Sequence, residues 1–230
     1  MAESPVDVNL VDVPADRAAM YRKHGWWLPE MLDDLVLRHS AVQPDRCAAV
    51  SGERRLSHAE LASAVDRAAR RLRRIGIEAG ERVLVQLPND VEFLVLVLGL
   101  VRVGAAPVLA MPALREHELR HVLGVTRPVA MAVPRSFQHF DHLAMALRLR
   151  DESPSVRHLL VTHGDPAGHT DLSRLCFGPD AEGEMSPPTG APTARGAARG
   201  PPRTTPSTSF PAGRPGRPRQ SHVRTRHSGT

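Results

Sequence analysis

Apolar and polar positions between residues 28 and 175 repeat with two periods, one helical and one extended. Apolar side chains three or four positions apart, or in one long run, predict helices over 28–42, 57–75, 91–103, 115–126 and 142–150. Short apolar runs bounded by turn residues predict strands over 47–50, 82–88, 105–112, 128–134 and 157–162. Strands and helices therefore alternate along the chain.

The helix predicted after residue 57 has the clearest boundary signals. Ser57 and Glu60 have the spacing of a capping box, in which each side chain bonds the backbone N–H of the other residue. Leu61, Val65 and Leu72 continue the apolar stripe, and Gly76 offers a left-handed stop.

The connections between these elements are short, and the run 82–88 is apolar without alternation. A strand of this kind is buried on both faces, which is typical of a parallel sheet covered by helices on each side. We therefore predict an α/β fold. The apolar run 91–103 is shorter than the ~20 residues that cross a bilayer, which indicates a buried helix and no membrane partner.

The composition changes near residue 180. Residues 181–230 hold nine prolines, seven glycines and eight arginines, against two acidic residues, Glu182 and Glu184. Their only large apolar side chains are Met185, Phe210 and Val223. Such a segment buries too little apolar surface to offset the entropy of ordering it. We predict an N-terminal extension over 1–20, a folded region over 21–180, and a disordered basic tail over 181–230.

The charge distribution and the cysteine content indicate the cellular compartment of the protein. The net charge is +5, but the tail alone carries eight positive charges and two negative, so the basic character belongs to it. Cys47 and Cys176 form no metal or redox spacing, and the N-terminus lacks the basic and apolar regions of a signal peptide. We expect a reducing, cytoplasmic setting.

Three groups of residues are candidates for binding chemistry. Five arginines can contact phosphates, but a solvated face of an amphipathic helix explains them better and is our expectation: Arg67, Arg70, Arg71, Arg73 and Arg74. His139, Asp141 and His142 can ligate zinc, although Asp141 as a helix cap is the simpler interpretation. His117 and His121 match H-E-x-x-H formally, but Leu119 and Val122 are expected to carry the buried stripe of this helix.

The order of these elements and the amino-acid sequences within them resemble the N-terminal part of acyl-adenylate-forming enzymes. The segment "LSHAEL" is similar to that superfamily's first core segment, with His58 in place of an aromatic residue, and "LGLVRVGAAPVLAMP" is similar to its second. "YRKHGWW", "LPEMLDDLV" and "PALREHELRHV" resemble the 2,3-dihydroxybenzoate– and salicylate–AMP ligases of siderophore biosynthesis. The likeness spans residues 11–175.

The resemblance implies that 21–180 are part of an AMP-binding domain, its N-terminal parallel-sheet layer. It also implies ATP and Mg²⁺ for the intact enzyme, with an aryl carrier protein as partner. The family's nucleotide loop, substrate pocket and catalytic lysine fall beyond residue 180, and Lys23, the only lysine, lies in the wrong segment. We therefore expect no catalytic, cofactor-binding or metal-ligating residues in this chain, and a truncated, inactive enzyme.

The tail has two alternative interpretations. When its codons are regrouped by one base, Met185-Ser186-Pro187 can read D-V-A, and residues 194–203 can read the family's phosphate loop ending G-x-P-K. This predicts a frameshift shortly before Met185. The alternative is a non-catalytic binding module whose arginine-rich tail contacts a protein or nucleic acid through phosphates. Phe210 is the tail's one aromatic residue, so we do not expect nucleic acid as a partner.

Overall fold

The computed structural model describes residues 13–28 and 30–179. The tail prediction for 181–230 lies outside these residues. The helices are α1 Ala15–Lys23, α2 Leu32–Val42, α3 His58–Arg74, α4 Val91–Val103, α5 Glu116–Thr126, α6 His142–Glu152 and α7 Leu172–Phe177. The strands are β1 Cys47–Ser51, β2 Arg54–Ser57, β3 Arg82–Val85, β4 Ala106–Leu109, β5 Ala130–Pro134, β6 His158–Thr162 and β7 Thr170–Asp171.

Five strands form a parallel sheet in the order β4-β3-β5-β6-β7. The predicted α/β fold is therefore confirmed. β1 and β2 form a separate antiparallel hairpin, which turns at Gly52 with a φ of +57°. A glycine adopts this left-handed conformation without the steric cost that a Cβ adds.

Helices cover both faces of the sheet. Val83 and Val85 of β3 join the core beneath α3, α4 and α7, whereas Leu84 joins the core beneath α5 and α6. Because successive side chains of a strand point to opposite faces, β3 must be apolar at every position to contact both layers. These three side chains are at most 1% exposed.

The boundaries predicted for α3 are confirmed. The Ser57 Oγ accepts from Glu60 N at 3.2 Å, and the Glu60 carboxylate accepts from Ser57 N at 2.7 Å. At the other end Gly76 has a φ of +88°, and the N–H of Ile77 donates to the Leu72 carbonyl at 3.0 Å. This is the Schellman arrangement, in which a glycine lets the chain turn back and satisfy a terminal carbonyl.

Helix α4 packs along α3 through small side chains. A Cβ built on Gly99 would lie 3.1 Å from the Cβ of Ala68, so glycine permits this close approach. In the described part of the chain, no helix is long and apolar enough to cross a membrane.

A buried ion network joins α2 to these two helices. The Nε of Arg102 in α4 donates to Asp33 of α2 at 3.0 Å, and its Nη1 donates to Asp66 of α3. Asp33 is 5% and Arg102 8% exposed. Because desolvated charges are costly unless paired, this network fixes the position of α2.

The N-terminal segment differs from its prediction. The prediction of a helix that starts at residue 28 is wrong, because α2 starts at Leu32. At this end of the helix, the Asp34 carboxylate accepts from Met31 N at 2.7 Å. Pro29 explains why Leu28 is not helical, because a proline disfavours helical geometry at the residue before it. The structure also contains α1, which the apolar pattern does not predict and which crosses the proposed boundary at residue 20.

Candidate functional site

The connections around β3 and β5 create a crevice at the carboxyl edge of the sheet. The two strands are neighbours, but the chain leaves β3 towards α4 on one face and leaves β5 towards α6 on the other. Open α/β sheets bind ligands outside the carboxyl ends of their strands at such a switch point. The polar residues that follow β3, β5 and β6 are therefore the candidates for binding a ligand.

Three of these residues come together beside the start of α4. Asp90 and Glu92 follow β3, and His163 directly follows β6; their ligand atoms all lie within 4.8 Å of one another. The His163 Nε2 is 2.8 Å from the Asp90 Oδ2. The carboxylates of both acids are about nine-tenths buried, with side-chain exposures of 11%, whereas His163 reaches solvent with 37%.

Neighbouring groups hold the two carboxylates in place. The Asp90 Oδ1 caps α4 by accepting from Phe93 N at 2.8 Å. The Glu92 Oε1 accepts from the Ser173 hydroxyl at 3.3 Å and lies 3.7 Å from the Arg54 guanidinium. These contacts leave the Asp90 Oδ2 directed towards His163. We name Asp90, Glu92 and His163 the edge cluster.

A buried amide fixes the loop on the neighbouring side of the edge. Gln86 is fully buried, and its Nε2 donates to the carbonyls of Met111 and Leu114 at 3.1 and 2.9 Å. The segment between β4 and α5 is thereby attached to the end of β3.

The sequence of this fold is similar to that of a known protein family. Residues 36–205 match the family described as AMP-binding enzyme, which is more than half of the chain. The chain belongs to the AMP-binding enzyme family.

Two curated relatives and one solved structure illustrate the likeness of this AMP-binding family member. It is 40% identical over 173 residues to the salicyl-AMP ligase / salicyl-S-ArCP synthetase of Mycobacterium tuberculosis, covering 73% of this chain and 30% of the relative. It is 33% identical over 148 residues to the 2,3-dihydroxybenzoate-AMP ligase of Bacillus subtilis, covering 64% of this chain and 28% of the relative.

The solved structure is the apo form of Mycobacterium smegmatis MbtA. It matches with a TM-score of 0.65 and 39% identity, over 76% of this chain and 32% of that chain. The predicted resemblance to salicylate– and 2,3-dihydroxybenzoate–AMP ligases is confirmed. The chain spans about a third of the length of the curated relatives it matches.

The structure gives the arginine cluster of this AMP-binding family member a specific role. Arg67 donates to the Cys176 carbonyl at 3.3 Å, and Arg71 donates to the carbonyls of Arg174 and Pro179 at 2.6 Å. These guanidiniums cap the carboxyl end of α7, where the helix dipole favours positive charge. The prediction of a merely solvated face is therefore wrong for Arg67 and Arg71, while Arg73 and Arg74 are exposed.

The first histidine candidate forms structural contacts. The Asp141 Oδ1 accepts from Ala144 N at 2.8 Å, which confirms the predicted cap of α6. His142 is fully buried, with its Nε2 3.0 Å from the Pro112 carbonyl and its Nδ1 3.2 Å from the Phe140 carbonyl. Each ring nitrogen thus faces a backbone carbonyl, and the nitrogen that carries the proton donates to it.

His117 and His121 lie on the exposed side of α5, opposite the buried Leu119 and Leu123. Leu119 is buried as predicted, and the half-buried Val122 packs against the same core as Leu123. In the residues that the structure describes, the edge cluster is the one group of three potential metal ligands this close together.

The two cysteines have different environments. Cys47 is exposed, whereas Cys176 of α7 is buried. Burial, followed by the nearby charges of Glu92 and Asp90, raises the pKa of the Cys176 thiol. A thiol held protonated in this way is a poor nucleophile.

The sequence of residues 1–180 lacks two glycine-rich patterns that bind phosphates. Residues 1–180 contain neither G-x-x-x-x-G-K-[ST] nor G-x-G-x-x-G, the patterns in which backbone N–H groups approach phosphates closely.

The sequence pattern does not predict the edge cluster, because 71 or more positions separate His163 from the two acids. A weaker signal exists. Asp90 and His163 each follow a buried strand closely, and the carboxyl ends of parallel strands share one edge of the sheet.

Proposed function

We propose that this chain is the N-terminal α/β layer of an aryl-acid adenylating enzyme. The intact enzyme would join an aryl carboxylate to ATP, release pyrophosphate, and pass the acyl group to the thiol of a carrier protein. The observation that carries the proposal is the 40% identity over 173 residues to a salicyl-AMP ligase. The likeness to a 2,3-dihydroxybenzoate-AMP ligase supports the same class of substrate.

The chemistry of adenylation explains why the 230-residue chain would be inactive alone. A carboxylate must approach a triphosphate of the same charge, so the enzyme needs a phosphate loop and cationic groups, including Mg²⁺, that stabilise the developing charge. Residues 1–180 contain no such loop, and Lys23 is the only lysine. We therefore propose that adenylation requires sequence that this chain does not encode in frame.

We propose that the reading frame changes shortly before Met185. The segment 185–203 lies at the end of the family match, which stops at residue 205, and the chain spans about a third of its relatives' length. Regrouped codons can restore both D-V-A and the phosphate loop there. The nucleotide sequence tests this proposal: the last base of the Ala198 codon with the first two of Arg199 must encode serine or threonine.

A frame-restored gene tests the proposed reaction. We expect its product to catalyse pyrophosphate exchange with ATP that depends on salicylate or 2,3-dihydroxybenzoate, whereas benzoate, which lacks the 2-hydroxyl group, is the matched control. Exchange that is independent of any aryl acid would contradict the proposed substrate class. Transfer to the phosphopantetheine thiol of an aryl carrier protein tests the second step.

A further inference from the structure

We propose that Asp90, Glu92 and His163 form a Zn²⁺ site at the carboxyl edge of the parallel sheet. The resemblance to adenylating enzymes implies no such ligands, and the proposal rests only on the geometry of the edge cluster. The chain supplies one imidazole nitrogen and two carboxylates at this place.

The approach of His163 to Asp90 is the main observation. The His163 Nε2 and the Asp90 Oδ2 are 2.8 Å apart. Yet the buried Asp90 Oδ2 accepts no hydrogen bond from the described part of the chain. At this separation, the oxygen must lie away from the direction in which an imidazole N–H donates. A shared cation needs only a small separation of these two atoms, because ligand atoms about 2.1 Å from one tetrahedral zinc ion lie about 3.4 Å apart.

The donor set and its charge fit Zn²⁺. Imidazole nitrogen and carboxylate oxygen are ordinary zinc ligands, whereas Ca²⁺ and Mg²⁺ take oxygen donors. Two carboxylates neutralise a divalent ion, and a neutral assembly is compatible with side chains that are only 11% exposed. Three protein ligands leave a fourth position open towards solvent, on the side where His163 is exposed.

Contacts outside the cluster orient two of the ligands. The Phe93 N–H holds Asp90 through its Oδ1, which leaves Oδ2 available, and the Ser173 hydroxyl donates to Glu92. Ser173 lies 3.0 Å from the Thr162 hydroxyl, which connects this support to the end of β6. Such outer contacts orient metal ligands. Arg54, 3.7 Å from Glu92, is the nearby positive charge that opposes a cation.

Zinc titration of the chelator-treated 230-residue protein tests the proposal. His117 and His121 lie one helical turn apart on α5 and form a competing pair, so the parent protein carries H117Q and H121Q. We expect calorimetry to show a zinc-binding event that D90N and H163Q each weaken at least about tenfold. Asparagine caps helices as well as aspartate, so D90N removes the ligand charge and keeps the cap.

Two controls separate metal binding from folding. Thermal unfolding without zinc is measured for each variant, and Co²⁺ absorption shows whether the imidazole coordinates the ion. R54Q changes an exposed side chain and is expected to tighten zinc binding, because it removes the opposing charge. Unchanged zinc affinity in H163Q and D90N, or an R54Q protein that binds zinc no more tightly, would overturn the proposal.

Discussion

Individual side chains at the margins of the sheet respond to pH in predictable directions. His158 begins β6, where burial and then the neighbouring Arg157 lower the pKa of its imidazole, while Glu81 opposes them. The unfolded chain therefore binds a proton at this position more readily than the folded chain. The contribution of His158 to stability is complete above about pH 6.5 and is lost as the pH falls towards the lowered pKa.

We expect H158Q to reduce the loss of stability between pH 7 and pH 5. Urea unfolding of the natural protein and of H158Q across this range measures the effect, and H121Q on the exposed side of α5 is the matched control. An equal pH dependence in the natural protein and H158Q would contradict the assignment.

The two cysteines allow a second test at the residue scale. Cys47 is exposed, and Cys176 is buried with a raised pKa. A thiol reagent is expected to modify Cys47 at once and Cys176 only as the protein unfolds. C47S leaves Cys176 alone and is expected to remove the fast phase, so a fast phase that persists in C47S would contradict the burial of Cys176.

At the scale of elements, the Arg102 network holds α2 against α3 and α4. Replacing Arg102 by alanine leaves Asp33, which is 5% exposed, as a buried charge without its partner. We expect R102A to lower the free energy of unfolding by about 3 kcal/mol. R120A is the matched control, because Arg120 pairs with Glu152 on the exposed surface and its loss should change stability little.

A D33N/R102A double variant separates the charge from the packing. Removing both charges is expected to recover part of the stability that R102A loses, as measured by urea unfolding. A double variant that is no more stable than R102A would show that lost packing, not the unpaired Asp33 charge, explains the effect.

The sequence predicts those elements that carry their own boundary signals. Ser57, Glu60 and Gly76 delimit α3, and the continuous apolar run of β3 indicates burial on both faces. In contrast, β7 and α7 are short, and their positions depend on contacts with β6, α3 and α4 that are distant in sequence. The edge cluster has the same limitation, because the register of the sheet brings His163 to Asp90.

At the scale of the whole molecule, the described residues form the sheet and both helical layers, but they leave apolar side chains uncovered. Trp26, Leu28, Met31 and Leu32 are each more than half exposed at the start of the fold, and Leu109 and Met111 are exposed at the end of β4. Uncovered apolar surface promotes association. This agrees with a layer that accounts for only about a third of each relative's length.

The central proposal is that this layer belongs to an aryl-acid adenylating enzyme and does not adenylate by itself. Pyrophosphate exchange with ATP, measured side by side for the purified 230-residue chain and the frame-restored protein, tests it most directly. We predict exchange dependent on salicylate or 2,3-dihydroxybenzoate in the restored protein and none above background in the 230-residue chain. Aryl-acid-dependent exchange by the 230-residue chain would contradict this account.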